Sequence, residues 1–183
     1  LTTPDETAVT RSMTVTLSAA STKTVTVDFA TADGTATAAN DYISASGTLT
    51  FNPGITSQTV SVTIVQDAID EAHETFDVVL SNATNASISD ATGVMTVTDD
   101  EATPSLSIAD ASTADETAAN LTATVTLSGQ SSSTVTVDYA TSDGIASAGA
   151  DYTTSSGTLT FNPGDTSQTF NIPILADTID ENN

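Results

Sequence analysis

The stretch QDAIDEAHETF, Gln66 to Phe76, holds four carboxylates, Asp67, Asp70, Glu71 and Glu74, and no cation. The nearest Lys or Arg upstream is Lys23, and none follows. Asp41 closes a loop just ahead of the run GTLTF, and Asp99, Asp100 and Glu101 follow the alternating run GVMTV. Carboxylates drawn from several separate loops are the donor type that a hard divalent cation takes, and Ca²⁺ tolerates the flexible geometry such loops offer. Other chemistries fit less well. DAIDEAHETFDV has no central Gly and no EF-hand spacing. A glycosidase carboxylate pair would want an aromatic-lined cleft, and the chain has no Trp. His73 is the single His and reads as an exposed loop residue. No G-x-S-x-G elbow accompanies the serines, so a Ser-His-Asp triad is not expected.

The composition raises the same question as the stretch. There are 24 Asp and Glu against two basic residues, Arg11 and Lys23, for a net charge of −22 over 183 residues. Nothing here could neutralise phosphates, so nucleic acid is excluded as a partner, and anionic membrane surfaces are disfavoured. Cys is absent, which removes both a disulfide framework and a thiol nucleophile. No apolar run is long enough to insert in a bilayer.

The chain repeats itself at a constant offset of 110 residues: Thr24 recurs as Thr134, and Ser46 as Ser156. TVTVDFATADGTATAANDY returns as TVTVDYATSDGIASAGADY, and SGTLTFNPGITSQT as SGTLTFNPGDTSQT. The second copy opens with an additional strand-like piece, PSLSIAD, and ends at the counterpart of His73. The expected organisation is one repeat over residues 1–101, without its first strand, and another over 102–183, without its last two. The chain reads as a window on a longer array.

Each copy reads as strands. Apolar residues alternate in Met13, Val15, Leu17; in Val25, Val27, Phe29; in Val60, Val62, Ile64; in Phe76, Val78, Leu80; and in Met95, Val97, with Thr and Ser mostly between them. Asp33-Gly34 and Asn52-Pro53-Gly54, with their copies, supply turn chemistry. About seven short strands per copy fit an all-β fold of tandem, immunoglobulin-like Greek-key sandwiches. Loops distant in sequence meet at one end of such a sandwich. Glu6, Asp41, Asp67–Glu74 and Asp99–Glu101 are therefore expected to gather at one pole. Carboxylates about 5 Å apart repel by roughly 3 kcal/mol at an effective dielectric near 20. Several such pairs would rival the stability of a small domain, about 5–15 kcal/mol. The counter-charge expected is Ca²⁺. Asp33, Asp70, Asp77, Asp90 and Asp110 read as solvated surface acids, and the pattern leaves open whether mid-strand Asp28 and Asp138 face outward or bond across strands.

The order and spacing of VDFATADGTATAANDY, SGTLTFNPG, DAIDEAHETF and TVTDDE resemble the Calx-beta repeat of sodium–calcium exchangers, an integrin tail and many bacterial surface proteins. The resemblance implies a sandwich that binds Ca²⁺ at one end. It implies acidic ligands at Glu6, Asp41, Asp67, Glu71, Glu74, Asp99, Asp100 and Glu101, with a backbone carbonyl at Ile69. In the second copy the matching positions are Glu116, Asp151, Asp177 and Glu181, with the carbonyl of Ile179. Gln66 and Ala176 stand where the most acidic members carry an acid, which reduces the ion cluster implied.

The function expected is a non-enzymatic, calcium-binding structural or adhesion repeat of a large extracellular or cell-surface bacterial protein. Its partners would be calcium ions, adjacent repeats and cell-surface or matrix ligands. Only Ala102, Thr103 and Pro104 separate the last acids of the first copy from the next strand, and Ca²⁺ at that junction is expected to stiffen the array. The alternative is a regulatory calcium sensor coupled to a neighbouring membrane or catalytic domain. An accessory module beside a secreted hydrolase is a third reading.

Overall fold

A computed structural model describes residues 10–112 and 119–176, and every regular element among them is a strand. The chain divides into two units. Leu1–Asp67 with Ala72–Asp100 form the first, and Ala68–Glu71 with Glu101–Asn183 form the second. No helix among the described residues is long and apolar enough to cross a membrane.

In the first unit, β1 (Thr10–Thr16), β5 (Ser57–Ile64) and β3 (Tyr42–Ile43) make one antiparallel sheet with β5 in the middle. The other sheet runs β4 (Ser46–Phe51), β2 (Val25–Asp33), β7 (Glu74–Thr84) and β8 (Thr92–Val97). Val25, Val27, Leu49, Phe51, Phe76 and Val78 face inward from this sheet, and Tyr42, Val60, Val62 and Ile64 face them from the other. The Thr and Ser between them stay at the surface. The alternation therefore builds a sandwich because one face of each sheet is apolar and must be covered. Removing such area from water contributes about 25 cal/mol per Å².

The second unit repeats part of this plan. The strands β9 (Leu106–Ile108), β10 (Asn120–Leu127) and β14 (Ser167–Pro173) form one sheet, and β12 (Val135–Ala140) pairs with β13 (Ser156–Phe161) in another. The strand-like PSLSIAD is β9. Its core is Val125, Leu127, Leu159 and Phe161, packed by Val135, Val137, Tyr139 and Phe170. Phe170, which replaces Val60 of the first copy, stacks on Tyr139 at 3.9 Å. Residues of β6 (Ile69–Asp70) belong to this unit and pair in parallel with β11 (Gln130–Ser131).

The turn at Asn52-Pro53-Gly54 forms as the residues require. Ile55 N–H donates to Asn52 C=O at 2.9 Å and Gly54 sits at φ +84°, a type II turn with Pro and Gly in their favoured places. Asp33-Gly34 is different. It ends a strand, and Gly34 is needed for space: a Cβ there would run into the carbonyl oxygen of Thr75 on β7. At Gly144, the same position in the second unit, nothing lies within 4 Å of such a Cβ. Asp28 also differs from a bare surface acid. It bonds across strands, accepting from Thr48 Oγ1 at 2.6 Å and Asn82 Nδ2 at 3.1 Å. These bonds, Thr48 first, hold its carboxyl below the ordinary value of 3.8.

Two outcomes follow from these contacts. Gly34→Ala should destabilise the first unit by about 1–3 kcal/mol through overpacking against backbone, whereas Gly144→Ala should leave stability within about 0.5 kcal/mol; urea unfolding of both variants decides. Because Asp28 is depressed in the folded state, its contribution is present above its unfolded value and is lost as pH falls through the lower folded one. Asp28→Asn should therefore lose less stability than the parent chain as pH drops below 3.8, measured by thermal melts across that range.

Candidate metal centre

The loop between β2 and β3 is built by two aspartates. Asp33 Oδ1 accepts from Ala38 N–H at 2.9 Å and from Tyr42 Oη–H at 2.5 Å. The Tyr42 bond, then the Ala38 bond, lower the Asp33 carboxyl, while burial and Asp33 push the Tyr42 phenol up to about 12. Asp33 is thus exposed, as the sequence suggested, and is also a loop fastener. Asp41 Oδ2 accepts from Thr37 N–H at 2.6 Å and from Thr37 Oγ1 at 3.1 Å. These bonds fix one carboxylate oxygen by local contacts alone. The loop also holds Ala39 at φ +79°, where the second copy has Gly149 at +89°.

The second copy repeats the construction. Asp143 accepts from Ala148 N–H at 2.8 Å and Tyr152 Oη–H at 2.7 Å, and Asp151 accepts from Ser147 N–H at 2.6 Å. The recurrent spacing of Asp and Tyr, nine residues apart in both copies, was the available signal for this lock.

Strand β7 brings the other acids. Phe76, fully buried, stacks on Tyr42 with ring centroids 4.0 Å apart and planes 12° from parallel. Glu74 lies two residues earlier on the same face of β7, opposite Val97. Tyr42 follows Asp41 directly, so the ring stack places Glu74 beside Asp41. Glu71 joins them, and the carboxylates of Asp41, Glu71 and Glu74 each offer an oxygen within 4.8 Å of the others. All three are half-buried.

Asp99 adds a second sign. Its Oδ1 is buried and makes no hydrogen bond. A buried carboxylate oxygen without a donor is a rare and costly state that calls for a counter-charge. Its backbone N–H donates to Nδ1 of His73 at 3.3 Å, which occupies that imidazole nitrogen. The remaining donors are oxygens. The set therefore suits a hard cation such as Ca²⁺ better than Zn²⁺, which favours nitrogen and sulfur.

Asp67 is exposed, two residues past Val65, whose N–H donates to Asp41 C=O at 3.0 Å. Asp100 is exposed and Glu101 half-buried. Ile69 lies in β6 opposite Gln130. Glu6, Glu116, Asp177, Ile179 and Glu181 lie outside the described residues. Asp70, which read as a solvated acid, instead takes hydrogen bonds from Ser131 Oγ at 3.1 Å and Thr103 Oγ1 at 3.4 Å.

The Calx-beta domain model matches residues 2–103 and 98–183. Sodium/calcium exchanger 1 of Canis lupus familiaris is 45% identical over 74 residues, 40% of this chain and 8% of that protein. Sodium/calcium exchanger 2 of Rattus norvegicus is 51% identical over 53 residues, 29% of this chain and 6% of that protein. The chain thus spans less than a tenth of the length of these curated relatives. Among solved structures, CBD12 from CALX1.2 aligns with a TM-score of 0.51 at 22% identity, covering 95% of this chain and 71% of that one. The apo-form Calx CBD1 domain aligns with a TM-score of 0.50 at 24% identity, covering 52% of this chain and 87% of that one. At these identities the structural likeness is one of fold. The family model, matched twice in tandem, accounts for nearly every residue, and the chain belongs to the Calx-beta domain family.

Proposed function

We propose that the chain is a non-catalytic, calcium-responsive module whose acidic end passes a change in ion occupancy to a neighbouring domain. The observation that carries this reading is the convergence of Asp41, Glu71 and Glu74 to within 4.8 Å in a chain of net charge −22. Asp41, Glu71, Glu74 and Asp99 would hold the ion. When bound, Ca²⁺ supplies the positive charge that cancels repulsion among these carboxylates. Asp41 is held by Thr37, and Glu74 by its place on β7. Glu71 lies in the connection between β5 and β7, so drawing it toward the other two reshapes that connection, and this is the response a neighbour could read. The exchanger relatives support the regulatory reading over adhesion, although they cover this chain only in part.

The near-identical copies at constant offset support a second reading, a calcium-stiffened spacer on an extracellular or bacterial cell surface. Sequence flanking these residues discriminates between the two. Many further copies favour the spacer, and membrane-spanning helices favour the sensor.

Calcium should raise the melting temperature of the first unit over that in chelator. A ligand binding only the folded state adds about 2.7 kcal/mol at one hundred times its Kd. Equal midpoints at low ionic strength would refute the proposal, and Mg²⁺, which demands tighter octahedral geometry, should substitute poorly. A sharper outcome comes from Glu71→Gln combined with Glu74→Gln. In chelator, removing two like charges should stabilise the fold by about 1–3 kcal/mol at low salt. With Ca²⁺ present the same change should abolish most of the calcium-induced shift. A double variant that shifts equally in both conditions would mean that these residues do not bind the ion.

A further inference from the structure

The chain holds two Asp-Gly dipeptides, Asp33-Gly34 and Asp143-Gly144, and no Asn-Gly. They occupy the same place in the two copies, and both are exposed, so water is at hand. Asp-Gly is chemically labile, because Gly has no Cβ to shield its amide nitrogen from the preceding side chain. That nitrogen attacks Cγ of the protonated carboxyl. An N–Cγ bond closes a succinimide ring, and the carboxyl hydroxyl leaves with the amide proton as water. Water then opens the ring. Addition at Cγ restores Asp. Addition at the main-chain carbonyl carbon leaves isoaspartate, in which the backbone runs through the side-chain methylene. In both copies the two reacting groups are engaged elsewhere. Asp33 Oδ1 accepts from Ala38 N–H and Tyr42 Oη–H, five and nine residues further on, and Asp143 Oδ1 accepts from Ala148 N–H and Tyr152 Oη–H at the same separations. These donors favour the ionised carboxylate, which has no hydroxyl to lose. The attacking amide is occupied as well: Gly34 N–H donates to Ala36 C=O at 3.2 Å, and Gly144 N–H to Ala146 C=O at 3.1 Å.

We propose that Asp33-Gly34 and Asp143-Gly144 are latent sites of isoaspartate formation, each held unreactive by the tyrosine hydroxyl that clasps its carboxylate. To react, the side chain must release both donors and turn back onto the amide that follows it, and that amide must give up its own carbonyl partner. The clasp therefore sets the rate: conversion proceeds only in the fraction of time that it is open. Once formed, isoaspartate carries its carboxylate directly on Cα and adds a methylene to the main chain. Both changes remove the geometry of the bonds to Ala38 and Tyr42, or to Ala148 and Tyr152, so the modification is self-sustaining. The proposal stands on these loop bonds alone and is independent of ion binding.

The test incubates the full chain at neutral pH and physiological temperature. Isoaspartate is read at each site by resistance to an endoprotease that cleaves before Asp, and in total by methyl transfer from an isoaspartyl methyltransferase. The folded parent should accumulate it more slowly than the same chain unfolded in urea, by about tenfold or more. Tyr42→Phe keeps the ring and its stack but removes the donor. It should speed conversion at Asp33 by about tenfold, the scale of one hydrogen bond to a charged group, and leave Asp143 at the parent rate. Tyr152→Phe should do the reverse. Val62→Ala removes buried volume from the first unit without touching the clasp and should leave Asp33 at the parent rate, which separates loss of the clasp from loss of stability. Adding Gly144→Ala to Tyr152→Phe should suppress the reaction at Asp143, because a Cβ then shields the nitrogen. Equal rates in the folded and unfolded parent would overturn the proposal. So would parental rates in both tyrosine variants, or equal acceleration at Asp33 in Val62→Ala and Tyr42→Phe.

Discussion

The stack of Phe76 on Tyr42 is the contact on which both the core and the acidic end of the first unit depend. Tyr42 belongs to the β1–β5–β3 sheet and Phe76 to the other, so the ring pair ties the two layers together. Each ring also has an acid close by in sequence. Asp41 precedes Tyr42, and Glu74 lies two residues before Phe76 on the same strand face. Closing the core therefore forces two carboxylates together. Hydrophobic burial and aromatic contact supply the driving force, and charge crowding is its electrostatic cost.

The carboxylates divide into two kinds by how that cost is met. Asp28, Asp33, Asp41, Asp143 and Asp165 receive hydrogen bonds from nearby backbone, hydroxyl or amide donors. Such donors stabilise the charged form without a counter-ion, which is why Asp28, Asp33 and Asp143 titrate low. The second kind is the grouped set, Glu71 and Glu74 with Asp41, together with the buried Oδ1 of Asp99. Asp41 belongs to both kinds. Thr37 holds one oxygen, so the residue is already oriented before any ion is present.

Much of this was legible in the sequence. Alternating Val, Phe and Thr marked the strands, and the Asn-Pro-Gly turns formed as their chemistry requires. The gathering of Asp41, Glu71 and Glu74 followed from Greek-key connectivity and the scarcity of cations. What escaped was side-chain detail that depends on exact register. Asp33 looked like half of a turn dipeptide, yet it fastens Tyr42, and Gly34 serves the close approach of β7 rather than a left-handed turn. Asp70 looked solvated, yet Ser131, distant in sequence, donates to it. Partners separated by 61 residues leave no local pattern to read.

The two copies separate what is encoded locally from what needs the tertiary fold. The Asp143–Tyr152 lock and the Asp151–Ser147 cap match those of the first copy to within about 0.2 Å at Tyr152 and Ser147 N–H, although nothing described stacks on Tyr152 as Phe76 stacks on Tyr42. The bonds that orient Asp41 and Asp151 thus lie within roughly ten residues of sequence in both copies. The acidic cluster does not, because Glu74 reaches Asp41 only when β7 lies against β2. One carboxylate is oriented by its own loop and the next arrives through long-range packing. Ion affinity at such a site is tied to the stability of the sandwich, and any change that loosens β7 weakens both together.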